Sequence, residues 1–374
     1  MYMDFQILTK DRSTSARIGT LTTPHGEVTT PIFLPVATRG SVRCLSSENL
    51  EELGFEMVLA NAYHLFLRPG TEIIKASGGL HRFMNWQRPI LTDSGGFQIF
   101  SLEDTKVEEE GAVFRSVYDG GWHRITPEEA IKIQEELGAD IIMPLDQPVS
   151  FPASHETAEE ALKRTTAWAK RSKASHSKEN QVLFGIIQGA TYEDLRQRSV
   201  EEITNLDFPG YSLGGFCLGE PKEEMNKFIA YTTTLLPEEK PRYLMGIGTP
   251  LEILSAVSAG VDIFDCALPT HIARNGSALT SQGKVIVRDS VYKNDFTPLD
   301  ANCSCFVCQK YSRAYLRHLY NTKELTVLYL ITYHNLYFIQ NLMVNIRQAI
   351  KEGTLVSFQK EFQKKLEEKR LSGI

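Results

Sequence analysis

A chain of 374 residues, 42% hydrophobic and 23% charged, can bury a sizeable core and is too evenly composed to be disordered or low-complexity. Its net charge of −6 argues, taken whole, against a nucleic-acid partner, but from His271 onward 15 Lys/Arg face 8 Asp/Glu, a net +7 that reopens that possibility. The N-terminal MYMDFQILTKDRS carries Asp4, Lys10, Asp11 and Arg12 where a leader would be apolar, and the most apolar run, 327–344, is broken by His334, Asn335, Gln340 and Asn341, so a cytoplasmic chain without a membrane span is expected.

Along the chain, short apolar or β-branched runs alternate with helical patterns. An N-terminal β-meander comes first. Eight strands are then predicted at 31–37, 56–60, 89–91, 140–145, 182–187, 211–213, 243–246 and 261–264. Between them the pattern predicts helices at 47–53, 72–77, 127–137, 155–172, 192–206, 222–236 and 250–259. The third of these opens on Thr126 as N-cap, Pro127 at the first helical position and Glu128 and Glu129 in the first turn; the last closes on Gly260.

Eight β-then-α units fit either an open doubly wound sheet or a closed (β/α)8 barrel with helices outside. The polar residues favour the α/β barrel, of the TIM type. Asp93, Asp146, Gln188, Gly214, Gly215, Met245, Gly246 and Asp265 all stand at or just after a strand end. In a barrel those ends converge on one face; in an open sheet they spread along an edge. Two segments break the alternation. After the third strand, 101–125 holds two arms, 115–118 and 122–125, around Asp119-Gly120-Gly121, a hairpin signature. Further on, 289–334 carries a cysteine cluster and interrupts the last helical segment. The expected organisation is one catalytic barrel over 1–374, with a zinc-binding subdomain at 289–340 and C-terminal helices at 341–374.

Of six cysteines, Cys44, Cys217 and Cys266 are scattered and read as small buried residues, whereas Cys303, Cys305 and Cys308 share one tight loop. Three thiolates and one imidazole make a closed tetrahedral zinc site of the structural kind. On spacing alone the fourth ligand is either His318 or His334. Asp93, before Gly95 and Gly96, and Asp265 bring two carboxylates to one cavity, which suits chemistry at a sugar anomeric carbon. One strand-end aspartate is as readily a loop brace; three in one mouth point to function.

These motifs resemble the tRNA-guanine transglycosylase family, of the bacterial type, over nearly the whole chain. They include Pro35-Val-Ala-Thr38, Asn61-Ala-Tyr-His-Leu65, Arg68-Pro-Gly70, Thr92-Asp-Ser-Gly-Gly-Phe-Gln98, Gly185-Ile-Ile-Gln-Gly189 and Gly214-Gly215. Arg242-Tyr-Leu-Met-Gly-Ile-Gly248, Phe264-Asp-Cys266, Leu268-Pro-Thr270, Arg274-Asn-Gly276 and His334-Asn335 follow in the same order. The resemblance implies that Asp265 is the nucleophile on C1′ of the target ribose and Asp93 the general acid/base. It implies that Asp146, Gln188 and the Gly214–Gly215 backbone bond the purine edge, that Phe97 and Met245 sandwich the base, and that Ser94 touches the site. It places Gly246, Thr270, His271 and Arg274 against the tRNA anticodon loop. It assigns a structural Zn2+ to Cys303, Cys305, Cys308 and His334, choosing His334 over His318.

The implied reaction replaces the wobble guanine of G-U-N anticodons (tRNAs for Asp, Asn, His and Tyr) with a 7-deazaguanine base during queuosine biosynthesis, and the implied assembly is a homodimer. Gln147-Pro148, Phe216-Cys217-Leu218 and His271 depart from the family pattern. Leu218 stands where queuine users carry a smaller residue, which favours 7-aminomethyl-7-deazaguanine; queuine salvage and a non-catalytic tRNA-binding subunit are the alternatives. Lys310, Arg313, Arg317, Lys360, Lys364 and Lys365 join Arg274 as candidate phosphate contacts. A barrel glycosidase or metal hydrolase and a simple zinc-dependent RNA-binding module are the rivals outside the family. A metal hydrolase would need strand-end histidines, and His64 and His271 are those near; an RNA-binding module would not need the carboxylates.

Overall fold

A computed structural model describes residues 3–372. Three antiparallel strands, β1 (Asp4–Lys10), β2 (Arg17–Thr23) and β3 (Gly26–Thr30), form the expected meander. The parallel sheet follows: β4 (Ile32–Ala37), β5 (Val58–Ala60), β6 (Ile90–Thr92), β10 (Ile141–Ile142), β11 (Val182–Leu183), β12 (Gly185–Ile187), β13 (Tyr211–Leu213), β14 (Arg242–Leu244) and β15 (Ile263–Cys266). Its order is β11-β10-β6-β5-β4-β15-β14-β13-β12. The two outermost strands are halves of one run, 182–187. That run bonds β10 through Phe184 N to Ile142 O (3.1 Å) and turns to β13 through Gly185 N to Gly210 O (2.9 Å). The sheet therefore closes into an eight-stranded barrel, as the alternation predicts.

Side chains alternate along each strand. Ile32, Leu34, Leu59, Leu91, Ile141, Phe184, Ile186, Tyr243 and Ile263 point inward and pack into one interior cluster, into which Leu21 and Val28 of the meander also pack. Phe33, Val58, Ile90, Ile142, Ile187, Leu213 and Phe264 point outward into the core shared with the helices. The major outer helices are α6 (Pro127–Leu137), α7 (His155–Ser175), α8 (Glu193–Thr204), α9 (Lys222–Leu235) and α10 (Pro250–Ser258). Shorter ones lie in the connections between strands: α1 (Ser47–Glu52), α2 (Ala62–Leu67), α3 (Thr71–Ala76), α4 (Leu80–Met84), α5 (Gly96–Phe100) and α11 (Leu268–Arg274). Thr126 caps α6 as expected, with Glu129 returning a bond to complete a capping box.

The strand predicted at 140–145 is paired only at Ile141–Ile142. A side chain explains this: Gln134 Oε1 accepts from Met143 N (2.9 Å), and its Nε2 donates to Met143 O (2.8 Å), taking the place of a neighbouring strand. The strand predicted at 243–246 ends at Leu244, because Gly246 turns to φ 78°. The strand predicted at 261–264 runs on through Cys266, so Asp265 lies inside the ladder opposite Leu34.

The insertion after the third barrel strand is a three-stranded sheet, β7 (Lys106–Glu108), β8 (Gly111–Arg115) and β9 (Trp122–Ile125). The first hairpin arm lies upstream of the predicted 115–118: Ser116 N already bonds Gly121 O (2.8 Å) across the turn. The polar strand β7 was not legible in the pattern. The C-terminal part holds the hairpin β16 (Ser277–Thr280) and β17 (Gly283–Ile286), then α12 (Phe306–Lys310), α13 (Arg313–Asn321), α14 (Thr326–Glu352) and α15 (Leu355–Ser372), with a small core of its own. Helix α14 runs unbroken across position 340, so the cysteine-bearing segment and the terminal helices share one helix. Residues 1–2, and 373–374 at the end of the predicted C-terminal helices, lie outside the described residues. Among the described residues no helix is long and apolar enough to cross a membrane.

Candidate active site and metal centre

The C-terminal strand ends surround a cavity of about 380 Å³, and Asp93, Ser94, Phe97, Asp146, Gln188, Gly214, Gly215, Met245, Gly246 and Asp265 all line it. Residues from six separate strand ends thus meet at one cavity. Asp93 follows β6 and accepts from Asn61 Nδ2 (2.5 Å) and Ala62 N (2.8 Å). Burial, with the nearby charges of Asp265 and Asp146, outweighs those bonds and pushes its pKa up to about 7. At the adjoining Gly95 (φ 77°) a Cβ would sit 2.7 Å from Tyr63 Cβ, so only glycine permits this turn. Ser94 is buried and accepts from Gly96 N (3.3 Å), and Phe97 stands 57% exposed at the mouth.

Asp265 is held through one oxygen. Its Oδ1 accepts from the Tyr243 hydroxyl (2.7 Å) and from Gly246 N (3.1 Å), while Oδ2 has no hydrogen-bond partner among the described residues. Burial raises its pKa against those two donors. Asp146, just beyond β10, accepts from Gln188 Nε2 (2.7 Å), and burial pushes it up to about 6. Gln188 Oε1 is buried without a protein partner. Gly215 (φ 73°) lies against this amide, where a Cβ would come within 2.5 Å of Oε1.

Sequence reasoning missed three supports. Arg196 on α8 is wholly buried, donates to the carbonyls of Ala190 (2.8 Å) and Gly214 (2.8 Å), and lies 4.0 Å over the Phe216 ring. A charged residue on a surface-type helix gives no sign of this. Glu220 accepts from Cys217 N (2.6 Å) and Leu218 N (2.8 Å) and so fixes that wall. Tyr243, inside a quoted motif, carried no role. Of the residues that depart from the family pattern, Pro148, Phe216, Cys217 and Leu218 line the cavity, whereas Gln147 turns away to accept from Arg164. One expectation is corrected. Cys44 and Cys217 are exposed and Cys266 half-buried, not small core residues, because Cys44 and Cys217 sit in loops at positive φ and Cys217 and Cys266 border the cavity.

Of the expected RNA contacts, Gly246 is exposed at the mouth and its N–H is spent on Asp265. Along α11, His271 is exposed, and Arg274 is half-buried and donates to Thr270 O (3.2 Å). Thr270 is buried, with its hydroxyl turned back to Ala267 O (3.1 Å).

At the second centre the Sγ atoms of Cys303, Cys305 and Cys308 lie 3.7, 3.4 and 3.3 Å from His334 Nδ1. All four ligand atoms fall within 4.8 Å of one another. A tetrahedral ion with bonds of about 2.3 Å to sulfur and about 2.0 Å to nitrogen separates such atoms by about 3.5 Å, so the donor set fits a bound metal ion. His334 Nε2 faces Leu279 O at 2.7 Å, which leaves Nδ1 free to ligate. His318 lies on the exposed side of α13 and is outside the cluster. The next residue, Asn335, donates to Pro269 O (2.9 Å) and Ser277 O (3.0 Å) and accepts from Leu279 N (2.8 Å). The helix that carries His334 is thereby tied to α11, directly after the strand of Asp265.

A parallel α/β barrel with burial-raised carboxylates around a base-sized cavity, and a Cys3His centre attached, defines a barrel enzyme with an ancillary metal site. The family profile described as queuine tRNA-ribosyltransferase matches residues 11–368. A protein of Halothermothrix orenii named queuine tRNA-ribosyltransferase is 52% identical over 366 residues, covering 98% of each chain. Proteins of the same name from Caldanaerobacter subterraneus subsp. tengcongensis (52% over 363 residues, 96% of this chain and 97% of that one) and Pelotomaculum thermopropionicum (52% over 366, 98% and 99%) agree. The chain belongs to the queuine tRNA-ribosyltransferase family, a family of transglycosylases.

Proposed function

We propose that this chain is a tRNA-guanine transglycosylase that exchanges the wobble guanine of G-U-N anticodons, in tRNAs for Asp, Asn, His and Tyr, for 7-aminomethyl-7-deazaguanine, in the cytoplasm and as a step of queuosine biosynthesis. The observation that carries the reading is the asymmetry of Asp265, with Oδ1 held by Tyr243 and Gly246 and Oδ2 free. A nucleophile needs one oxygen to orient it and the other to react. Oδ2 attacks C1′ of the target ribose, the C1′–N9 bond breaks, and its electron pair leaves with guanine. Asp93, with its pKa near 7, is partly protonated at neutral pH and gives the leaving base its proton. It then removes the N9 proton of the incoming base, whose nitrogen displaces the Asp265 carboxylate from C1′. The covalent aspartyl-ribose intermediate conserves the glycosidic bond, so no further energy source is needed.

Phe97 and Met245 supply the walls for a flat base, and Asp146, Gln188, Ser94 and the Gly214–Gly215 backbone supply its polar edge. The orphaned Gln188 Oε1 supports this assignment, since a base N–H would satisfy it. Leu218 closes the side wall and favours the smaller base over queuine. Cys303, Cys305, Cys308 and His334 would hold one structural Zn2+ within the subdomain at 289–340, stapling the cysteine loop to α14, which itself runs on into 341–374. The tRNA reaches the mouth past Gly246, Thr270, His271 and Arg274. The exposed Phe296, Tyr315 and Leu325 of the metal-bearing part support a homodimer through that face. Exchange of labelled guanine into unmodified tRNA with a G-U-N anticodon tests the reading. Wild type incorporates the label and forms a denaturant-resistant RNA adduct, and Asp265→Asn does neither. Absence of exchange by wild type with every such tRNA would leave a tRNA-binding subunit as the better account.

A further inference from the structure

Three segments distant in sequence meet beside the cavity and are used by none of the assignments above. The loop after β4 brings Arg39, the end of α2 brings Arg68, and the hairpin insertion brings Tyr118. The guanidinium carbons of Arg39 and Arg68 lie 5.3 and 4.9 Å from the centroid of the Tyr118 ring. The Tyr118 hydroxyl is 2.9 Å from His64 Nδ1, and His64 lines the cavity. One ring and one hydrogen bond thus fix two cations relative to the reacting carboxylates.

Both arginines are exposed, and neither has a carboxylate partner among the described residues. Elsewhere on the barrel surface arginines are neutralised, Arg164 by Glu109, Arg171 by Glu110 and Glu128, and Arg198 by Glu159 and Glu202. The positive charge also extends sideways. Burial lowers the pKa of His64, and Arg39 and Arg43 lower it further; burial and then Arg43 lower that of Arg274 on α11. The rim therefore runs from Arg68 through Arg39 and Arg43 to Arg274, above a floor of carboxylates. Like charges gathered without counter-charge are relieved by a bound anion, and guanidinium matches phosphate geometry in particular. Flipping a base out of a strand requires the backbone beside it to be held while stacking is lost.

We propose that Arg39 and Arg68, spaced by Tyr118, form a phosphodiester clamp that grips the RNA backbone next to the nucleotide whose base enters the cavity; this rests on the RNA-substrate reading above. The clamp lies in the part of the chain whose overall charge is acidic, outside the basic C-terminal third. The test compares the metal-loaded wild type with Arg39→Ala, Arg68→Ala, the double variant and Arg39→Lys. Each is titrated with an unmodified RNA hairpin bearing a G-U-N loop over a range of salt. Each alanine variant is expected to bind about tenfold more weakly at low salt, with the log–log salt slope reduced by about 1 per lost contact. The double variant loses about a hundredfold, Arg39→Lys keeps most of the slope, and the KM for free guanine and the melting temperature do not move. Unchanged affinity and slope in the double variant overturn the clamp and leave the transglycosylase reading standing. The same loss of salt slope in Arg39→Lys also overturns it, since charge would not then be the cause. Failure of wild type to bind the hairpin overturns both.

Discussion

Asp262 enters the last barrel strand from below, and Asp265 leaves it at the mouth. Below, Asp262 takes Arg17 through both oxygens (2.9 and 2.6 Å) and accepts from Arg242 N (2.8 Å). Asp140, at the lower end of β10, accepts from Ile90 N (2.8 Å) and faces His25 and His81. Burial pushes the Asp140 pKa up, but those bonds outweigh it and bring it down to about 2. At the mouth, Asp93, Asp146 and Asp265 have fewer donors, and burial wins in each case. The residue type, the strands and the enclosure are shared by the two ends. The number of donors facing each carboxylate decides whether it stabilises the fold or stands ready for chemistry.

The largest effects should separate the two ends. Asp265→Asn is expected to cut base exchange by at least about a thousandfold, since an amide oxygen is a poor nucleophile, and to leave the melting temperature unlowered. Asp262→Asn should do the reverse. It leaves the buried Arg17 guanidinium without its counter-charge, at a cost of about 3–5 kcal/mol in denaturant unfolding, while the protein that remains folded exchanges base normally. A stable but inactive Asp262→Asn would break the division between the ends.

Next in size is Asp93→Asn. The folded pKa of Asp93, about 7, exceeds its ordinary value of 3.8, so the native state keeps a proton that the unfolded chain releases. Wild-type stability therefore falls as pH rises from about 4 to about 7, and the full cost is present above that. The asparagine variant removes this cost. It should be more stable than wild type by about 2–4 kcal/mol at pH 8 and equal to it near pH 4, by chemical denaturation at both pH values. No gain at pH 8 would mean that Asp93 is ionised at little cost, and that the mouth stores no such strain.

Loop residues give a smaller effect and sharpen the contrast, because the mouth can change specificity without touching the lower end. Glu220 and Phe151 hold the backbone of Leu218, so Leu218→Gly should remove the wall and keep the loop in place. The KM for queuine is expected to fall about tenfold relative to that for 7-aminomethyl-7-deazaguanine, the scale at which apolar pockets discriminate by size. An unchanged ratio would place the size filter elsewhere.

The mouth was the more legible end. Asp93, Asp146, Gln188 and Asp265 stand at the ends of apolar runs, Asp93 and Gln188 beside glycines, and that local pattern survives whatever the tertiary packing does. The Cys303–Cys308 loop was legible for the same reason, whereas its fourth ligand needed the family resemblance, because His318 and His334 both sit in helical patterns. The lower end was not legible. Asp140 meets His25 and His81, and Asp262 meets Arg17, across long sequence separations that no spacing rule spans. Arg196 and Gln134 escaped for a related reason: each is a polar helix residue whose bonds go to backbone at a strand end, and only the packing of helix on sheet brings the two together.

The smallest effect tests whether the lower end depends on charge or only on hydrogen bonds. The His25 and His81 rings lie parallel with centroids 3.6 Å apart, so their in-plane lone pairs run side by side rather than converging on one ion. That separates this cluster from the Cys3His centre. The hydrogen bond to Asp140 raises the pKa of His25, with burial opposing. The stability this lends is fully present below pH 6.5 and is lost as pH rises through the raised folded pKa. Because the ring is partly open to water, the ionic contribution is worth less than about 1 kcal/mol. His25→Ala should therefore cost more at pH 6 than at pH 9 in denaturant unfolding. Its cost shrinks with rising pH while the gain from Asp93→Asn grows, so one variant converges on the wild-type curve from below while the other departs above it. A cost for His25→Ala that is equal at both pH values would show that Asp140 is satisfied by neutral donors alone, and that the two ends of the barrel differ in the count of hydrogen bonds rather than in charge.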